Sequence, residues 1–194
     1  MLSIHSASKH NETLDYASTH HDIVEQCKQG SRNAQFELYR LYSKAMYNIC
    51  LRMLNNELDA EDVLQHSFVD VFSKLESYRH ESSIGAWIKR IVINNCINHL
   101  KRSRLRFEEL DDKYHNVQEE APYEAPGLSV DLVKQAMTEL PDGYRVVFSL
   151  YLLEGYDHEE IAEILNISEA TSKSQFHRAK KRLKEIIESK HYRS

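Results

Sequence analysis

The stretch "ATSKSQFHRAKKRLKE" (residues 170–185) gathers Lys173, Arg178, Lys180, Lys181, Arg182 and Lys184 against a single acid, Glu185. Bases at that density neutralise phosphates, and arginine pairs bidentately with guanine edges. The plainer use of the same charges is a solvated helix face. A second constellation lies in "SYRHESSIGAWIKRIVINNCINHLKRSR", where Trp87, Ile91, Asn94, Asn98 and Arg102 recur at intervals of four, three, four and four. One face of a helix would then carry an aromatic ring, two amides and a base. Amides pair with base edges, an aromatic supports an unstacked base, and the bases Lys101, Arg102, Arg104 and Arg106 that end the run hold phosphate. For Trp87 alone a core position is the commoner role; for the basic end, nucleic acid is the better reading. A third set, Glu61, Asp62, Gln65 and Asp70, forms the polar side of "ELDAEDVLQHSFVDVFSKL". By itself that is an ordinary amphipathic helix.

Other chemistries lack their residues. "HEEIA" at His158 has Ala162 where zinc-protease spacing needs a second histidine, and there is no nucleophile elbow or glycine-rich phosphate loop. No metal or cofactor is expected. Cys27, Cys50 and Cys96 are far apart, odd in number and match no metal spacing, so they read as reduced core thiols. No apolar run is long enough to span a bilayer, and the N-terminus has no signal pattern. A soluble cytoplasmic protein is expected, without membrane insertion and without a small-molecule substrate.

The elements that would position these groups are helices. Five glycines and three prolines in 194 residues, with many Leu, Ile, Glu, Lys and Gln, favour helix, and no convincing strand alternation occurs. In "AQFELYRLYSKAMYNICLRML", Phe36, Leu38, Leu41, Tyr42, Ala45, Ile49 and Met53 are available for packing. The next helix is expected to be capped by Asp59, with Glu61 and Asp62 in its first turn and Leu64, Phe68, Val71, Phe72 and Leu75 as its buried stripe. A polar loop over 78–83 leads into a helix over about 84–103, with Ile84, Ile88 and Val92 turned to the core.

Toward the C-terminus, Pro141 and Asp142 open a helix that offers Val146, Val147, Leu150, Tyr151 and Leu153 to the core, ended by Gly155. Asp157 and Glu160 form an acidic capping box for a short helix with Ile161, Ala162, Ile164 and Leu165 inward. Asn166 suits a left-handed turn and Ser168 caps the last helix. There Ser172, Phe176, Ala179, Leu183 and Ile187 face inward, leaving Lys173, Gln175, His177, Arg178, Lys180 and Lys181 outside. That is a helix-turn-helix layout, whose second helix enters the major groove.

The net charge of −5 conceals a segregation. Residues 107–128 hold seven acids against Lys113, a net −6, together with Pro122, Pro126 and Gly127, and read as a flexible acidic linker. Residues 169–193 hold eight bases and three acids, a net +5. The expected organisation is a disordered tail over 1–20, a helical domain over 21–106, the linker, and a helix-turn-helix domain over 129–191. The fold is therefore all-α, two small helical domains joined by a tether whose acids either compete with DNA phosphate for the flanking bases or, the commoner use of a charge run, only keep the tether soluble.

Taken together, the two modules resemble a bacterial RNA polymerase sigma factor of the extracytoplasmic-function group, over about residues 21–190. "DAEDVLQHSFVDVF" resembles the part of sigma region 2 that binds core polymerase. "SIGAWIKRIVINNCINHLKR" resembles the part that melts and reads the minus-10 element. "LPDGYRVVFSLYLLEGYDHEEIAEILNISEATSKSQFHRAKKRL" resembles region 4, reader of the minus-35 element. Ser172 and Gln175 depart from the Val and Arg common there. The resemblance implies no catalysis and three classes of partner: the polymerase core (beta-prime clamp and beta flap), promoter DNA, and, for some members, an anti-sigma factor. It assigns Glu61, Asp62, Gln65 and Asp70 to the core polymerase. It assigns Tyr78, Arg79, Trp87, Asn94, Asn98, Lys101, Arg102 and Arg104 to the minus-10 element, with the 78–85 loop holding a flipped base. Ser168, Thr171, Lys173, Ser174, Gln175, His177, Arg178 and Lys181 fall to the minus-35 element. A stand-alone helix-turn-helix regulator explains residues 129–191 equally well but leaves the Trp87–Asn94–Asn98 face and "KRSRLR" without a use.

Overall fold

The computed structural model describes residues 20–102 and 130–191, and every regular element among them is helical. The expectations for the tail, the acidic linker, Arg104 and Arg106 lie outside the described residues. α1 spans His21–Lys28 and α2 Arg32–Leu54, with the Ser31 hydroxyl accepting from the Ala34 amide to start α2. α3 (Glu57–Lys74) ends in a 3₁₀ turn, Leu75–Ser77, and α4 spans Ile84–Arg102. After the undescribed stretch come α5 (Val130–Thr138), α6 (Asp142–Leu152), α7 (His158–Leu165) and α8 (Glu169–His191). None of these helices is long and apolar enough to cross a membrane.

α2 is the hub of the N-terminal helices, packing against α1, α3 and α4. Its buried side is Ala34, Leu38, Met46, Ile49, Cys50, Met53 and Leu54. Phe36 and Leu41, expected to pack, are exposed instead, because the third side of α2 meets solvent. α3 contributes Leu64, Phe68, Val71 and Leu75 as expected, with Phe72 half-buried. α4 contributes Ile84, Ile88 and Val92 as expected, and also Ile93, Cys96, Ile97 and Leu100. The three cysteines are free and buried, and the Cys50 thiol beside Cys96, with burial, pushes the Cys96 thiol far up. Gly85 is needed for closeness, since a Cβ there would sit 2.8 Å from the Tyr42 ring.

The cap of α3 is corrected by the structure. Asn56, not Asp59, is the N-cap: its Oδ1 accepts from the amides of Leu58 (2.9 Å) and Asp59 (3.2 Å). Asn55, in the left-handed region at φ 54°, ends α2 and brings Asn56 directly into the capping position. Farther on, the Asp157–Glu160 capping box forms in both directions, Asn166 takes φ 57°, and Ser168 accepts from the Thr171 amide at 3.0 Å, all as expected. Tyr151 and Leu153, offered to the core, stay exposed at the end of α6.

The C-terminal helices divide their burial between two cores. Ala136, Met137, Leu140, Phe148, Ala179, Leu183 and Ile186 pack among themselves. Val146, Val147, Leu150, Ile161 and Leu165 instead join the core built on α2. One face of α6 is therefore buried against the N-terminal helices, and α2 packs on α6 directly.

The revised cap gives a test. Asn56→Ala is expected to cost about 1 kcal/mol of unfolding free energy. Asp59→Ala removes a half-exposed contact with His99 at 3.5 Å and should cost less than about 0.5 kcal/mol. Urea midpoints at constant slope check this, and the reverse ranking would restore Asp59 as the cap.

Candidate nucleic-acid interface

The loop before α4 is built around a buried tyrosine. Tyr78 is 4 % exposed, its hydroxyl donates to the Ser82 carbonyl at 2.6 Å, and its ring meets those of Trp87 (5.4 Å) and His80 (4.6 Å). It shapes the loop from beneath instead of presenting its ring for contact, which corrects its expected place among the DNA-facing groups. Arg79 is exposed, and His80 takes φ 60° at the loop tip. Trp87 is half-buried, between the two roles weighed for it. Asn94 and Asn98 are exposed along α4, with Lys101 and Arg102 exposed at its end. A ring edge, two free-facing amides and terminal cations thus share one helix, an arrangement suited to a strand with its bases turned outward.

His21, Glu25 and His80 bring three groups of metal-ligand type within 4.8 Å of one another. The Glu25 carboxylate already accepts from Lys28 at 3.0 Å, which holds it below its ordinary pKa, and it lies 3.3 Å from His80 Nε2. With the His21 and His80 rings stacked at 4.7 Å, the cluster fastens the loop to α1.

On α3, Glu61, Asp62 and Gln65 are exposed on one face, but Asp70 is not available with them. Its carboxylate accepts from Asn95 Nδ2 at 3.1 Å and pairs with Lys74 at 3.2 Å, and those contacts, the Asn95 hydrogen bond first, lower its pKa. Sequence reasoning missed two members of the same face. Leu58 and Val69 are 73 % and 64 % exposed, three or four residues either side of the polar group, so the face is apolar at both ends. The signal was present in the sequence as two large aliphatics at the same helical phase as Gln65.

In the C-terminal helices, α7, the turn at Asn166 and α8 make the helix-turn-helix. His158 Nδ1 lies 2.9 Å from the Ser172 hydroxyl, and its ring stacks on Tyr151 at 4.5 Å. Burial, then the nearby Lys173 charge, lowers the His158 pKa, so the joint is built around a neutral imidazole. Ser172 is fully buried, as expected. Gln175 is buried too, only 3 % exposed, which corrects its expected outward place. The reason is helical phase: residues 172, 175, 179, 183 and 186 form the inner side of α8, and Phe176 and Ile187 flank it. Ser168, Thr171 and Ser174 spend their hydroxyls on the cap and the first turn. Lys173 and Lys181 are exposed, His177 and Arg178 half-buried, and Lys173 pairs with Glu169 at 2.7 Å. These four leave α8 on its solvent side.

The model of the family "Sigma-70 region 2" matches residues 38–106, and that of "Sigma-70, region 4" residues 131–183. The chain is 32% identical over 154 residues to the ECF RNA polymerase sigma factor SigM of Bacillus subtilis, covering 77% of this chain and 93% of that protein. It is 27% identical to SigW of the same organism, covering 84% and 94%. Among solved structures, the sigma factor RpoE of Bartonella quintana, in complex with the anti-sigma factor NepR, superposes with a TM-score of 0.53 at 26% identity, covering 78% of this chain and 95% of that one.

The inward phase of Gln175 is testable, because its Oε1 has no hydrogen-bond partner. Gln175→Met is expected to raise stability by about 1 kcal/mol and leave affinity for duplex DNA within about twofold. Lys181→Ala should lower that affinity and flatten its salt dependence. Thermal melts and DNA titrations on both variants check this; a loss of DNA binding in Gln175→Met would put that side chain against DNA.

Proposed function

The chain belongs to the extracytoplasmic-function RNA polymerase sigma factors, and from that premise we propose how its residues divide the work. As an alternative sigma factor it binds core polymerase and directs initiation at specific promoters. It works in the bacterial cytoplasm and is not an enzyme, since the polymerase supplies the chemistry. The observation that carries this reading is the order of the two family matches on one chain, region 2 before region 4, within a relative aligned over nearly its whole length.

In the proposed division, residues 21–106 engage the core and the minus-10 element, residues 107–128 tether, and residues 129–191 engage the minus-35 element and the beta flap. The α3 face of Leu58, Glu61, Asp62, Gln65 and Val69 docks on the beta-prime clamp. Its support is the combination of exposed aliphatics with acids, since a stable interface needs an apolar centre as well as charge for registry. Arg79, Trp87, Asn94 and Asn98 face the separated strand at the minus-10 element, with Lys101, Arg102 and Arg104 on its backbone. Tyr78 positions the loop from beneath. Lys173, His177, Arg178 and Lys181 face the minus-35 element, and the Ser168, Thr171 and Ser174 hydroxyls secure the start of the helix that carries them. The RpoE relative binds an anti-sigma factor in its solved complex, and a partner of that kind is proposed for this chain as well.

Reconstituted transcription tests the reading. The purified protein with bacterial core polymerase and nothing else should yield discrete start sites from a pool of genomic fragments. Asp62→Lys should reduce both co-elution with core and transcript yield by about tenfold, the loss expected when a charge contact at an interface is reversed. A protein that binds DNA yet never supports initiation by core would instead be a stand-alone helix-turn-helix regulator.

A further inference from the structure

We propose that His21, Glu25 and His80 hold a divalent transition-metal ion that ties the loop before α4 to α1. His21 and Glu25 are four residues apart on α1, so one face of the helix carries both, the spacing at which helices present pairs of metal ligands. His80 arrives from the loop, 55 residues beyond Glu25. One ligand-type atom of each residue lies within 4.8 Å of the other two. Around a zinc-like ion, bonds of about 2.0–2.1 Å put neighbouring ligand atoms of a tetrahedron roughly 3.4 Å apart. His80 Nε2 and Glu25 Oε1 already stand at 3.3 Å. The third ligand closes with a turn of the His21 ring, whose side chain is 52 % exposed and has room to move.

The donor set selects the ion. Two imidazoles with one carboxylate suit Zn²⁺, Ni²⁺ or Co²⁺, whereas Mg²⁺ and Ca²⁺ take oxygen ligands and softer ions seek sulfur. Lys28 stands against the ion, since its ammonium lies 3.0 Å from Glu25 Oε1 and claims the same carboxylate. It has a second acceptor in the Tyr78 carbonyl at 3.4 Å, on which it can fall back when an ion takes Glu25. Asp22 acts in the opposite sense. Its carboxylate, 4.0 Å from His21 Nδ1, adds negative charge beside the site and can orient that ring through its second nitrogen.

The use of the ion follows from what it joins. Tyr78 packs on His80 at 4.6 Å and Trp87 on Tyr78 at 5.4 Å, so a bond at His80 is felt at the start of α4. Without metal, the loop tip is held to α1 by one contact to Glu25 and by ring stacking between exposed side chains. Coordination bonds across the same gap fix the loop, and Arg79 with it, from the α1 side and without meeting DNA. That use of the loop rests on the sigma-factor reading; the site itself does not.

The test titrates Zn²⁺ alone into the untagged full chain. Calorimetry follows the ion, and the emission of Trp87, the chain's single tryptophan, follows the loop. Zn²⁺ has a filled d shell, so it alters that emission by moving the rings and not by quenching. The first Zn²⁺ bound should change Trp87 emission along the same isotherm, and Mg²⁺ at equal concentration should do neither. His80→Asn removes the ligand but keeps a residue that accepts the left-handed backbone there, at φ 60°. It should weaken this site at least about tenfold and abolish the emission change, and Glu25→Gln should do the same. His66→Asn, the same change at an exposed histidine of α3, should alter binding less than about twofold. Equal Zn²⁺ binding in wild type, His80→Asn and Glu25→Gln, or a wild type whose Trp87 emission ignores Zn²⁺, would overturn the proposal. If Glu25→Gln fails to fold, His80→Asn decides alone. Failure of the wild type to initiate with core would sink the sigma-factor reading but leave these titrations unchanged.

Discussion

The last turn of α2 is the point on which the arrangement depends. A helix end leaves carbonyls without intrahelical partners and carries the negative end of the helix dipole. Here the end is buried, with Met53 fully enclosed and Leu54 nearly so. The groups that satisfy it come from the other half of the chain. The Arg145 guanidinium bridges the Met53 and Leu140 carbonyls and pairs with Asp142; in the opposite direction, the Asn55 side-chain amide that caps α2 donates to the Thr138 carbonyl. A buried cation at a helix C-terminus does electrostatic work that an exposed one could not. Around it, Val146, Val147 and Leu150 of α6 complete the apolar core begun by Leu38, Ile49 and Met53. Each set of helices is small for an independent core, and the shared burial offsets that shortage.

Two surfaces are left outside this shared core, and they differ in kind. The α3 face is acidic with exposed aliphatics at its ends, the composition of a protein-docking patch. The outer side of α8 is basic and polar, the composition of a DNA-facing helix. The face of α4 is the exception, since its amides and terminal cations are open while Trp87 lines the cavity between the halves and Lys89 donates to the Glu154 carbonyl.

Local signals in the sequence were read well where one turn of helix decides the outcome. The Asp157–Glu160 box, the left-handed Asn166 and the Ser168 cap each depend on residues within four positions of one another, and all formed as expected. The Ile84, Ile88 and Val92 stripe was legible for the same reason. Misreadings came where tertiary packing overrides residue type. Gln175 looked polar and therefore external, yet its phase with Ser172 and Ala179 puts it inside. Tyr78 falls in a polar loop with no local sign that the loop is built around a buried ring. Asp70 carries no local sign of its partner, because Asn95 is 25 residues away. The partnership of Arg52 with Glu154 spans 102 residues and left no mark in either local pattern. Nothing in spacing or composition announces that the two halves share a core.

The shared core predicts that the two halves of the free protein stay together through the α2–α6 contact. The most direct measurement is the distance between probes on Ser77 and Glu163, both lining the cavity between the halves, attached through introduced cysteines while Cys27, Cys50 and Cys96 stay buried. Pulsed spin-label distances on the free protein should show one narrow, short population. A broad, long distribution in the free protein would contradict the shared core.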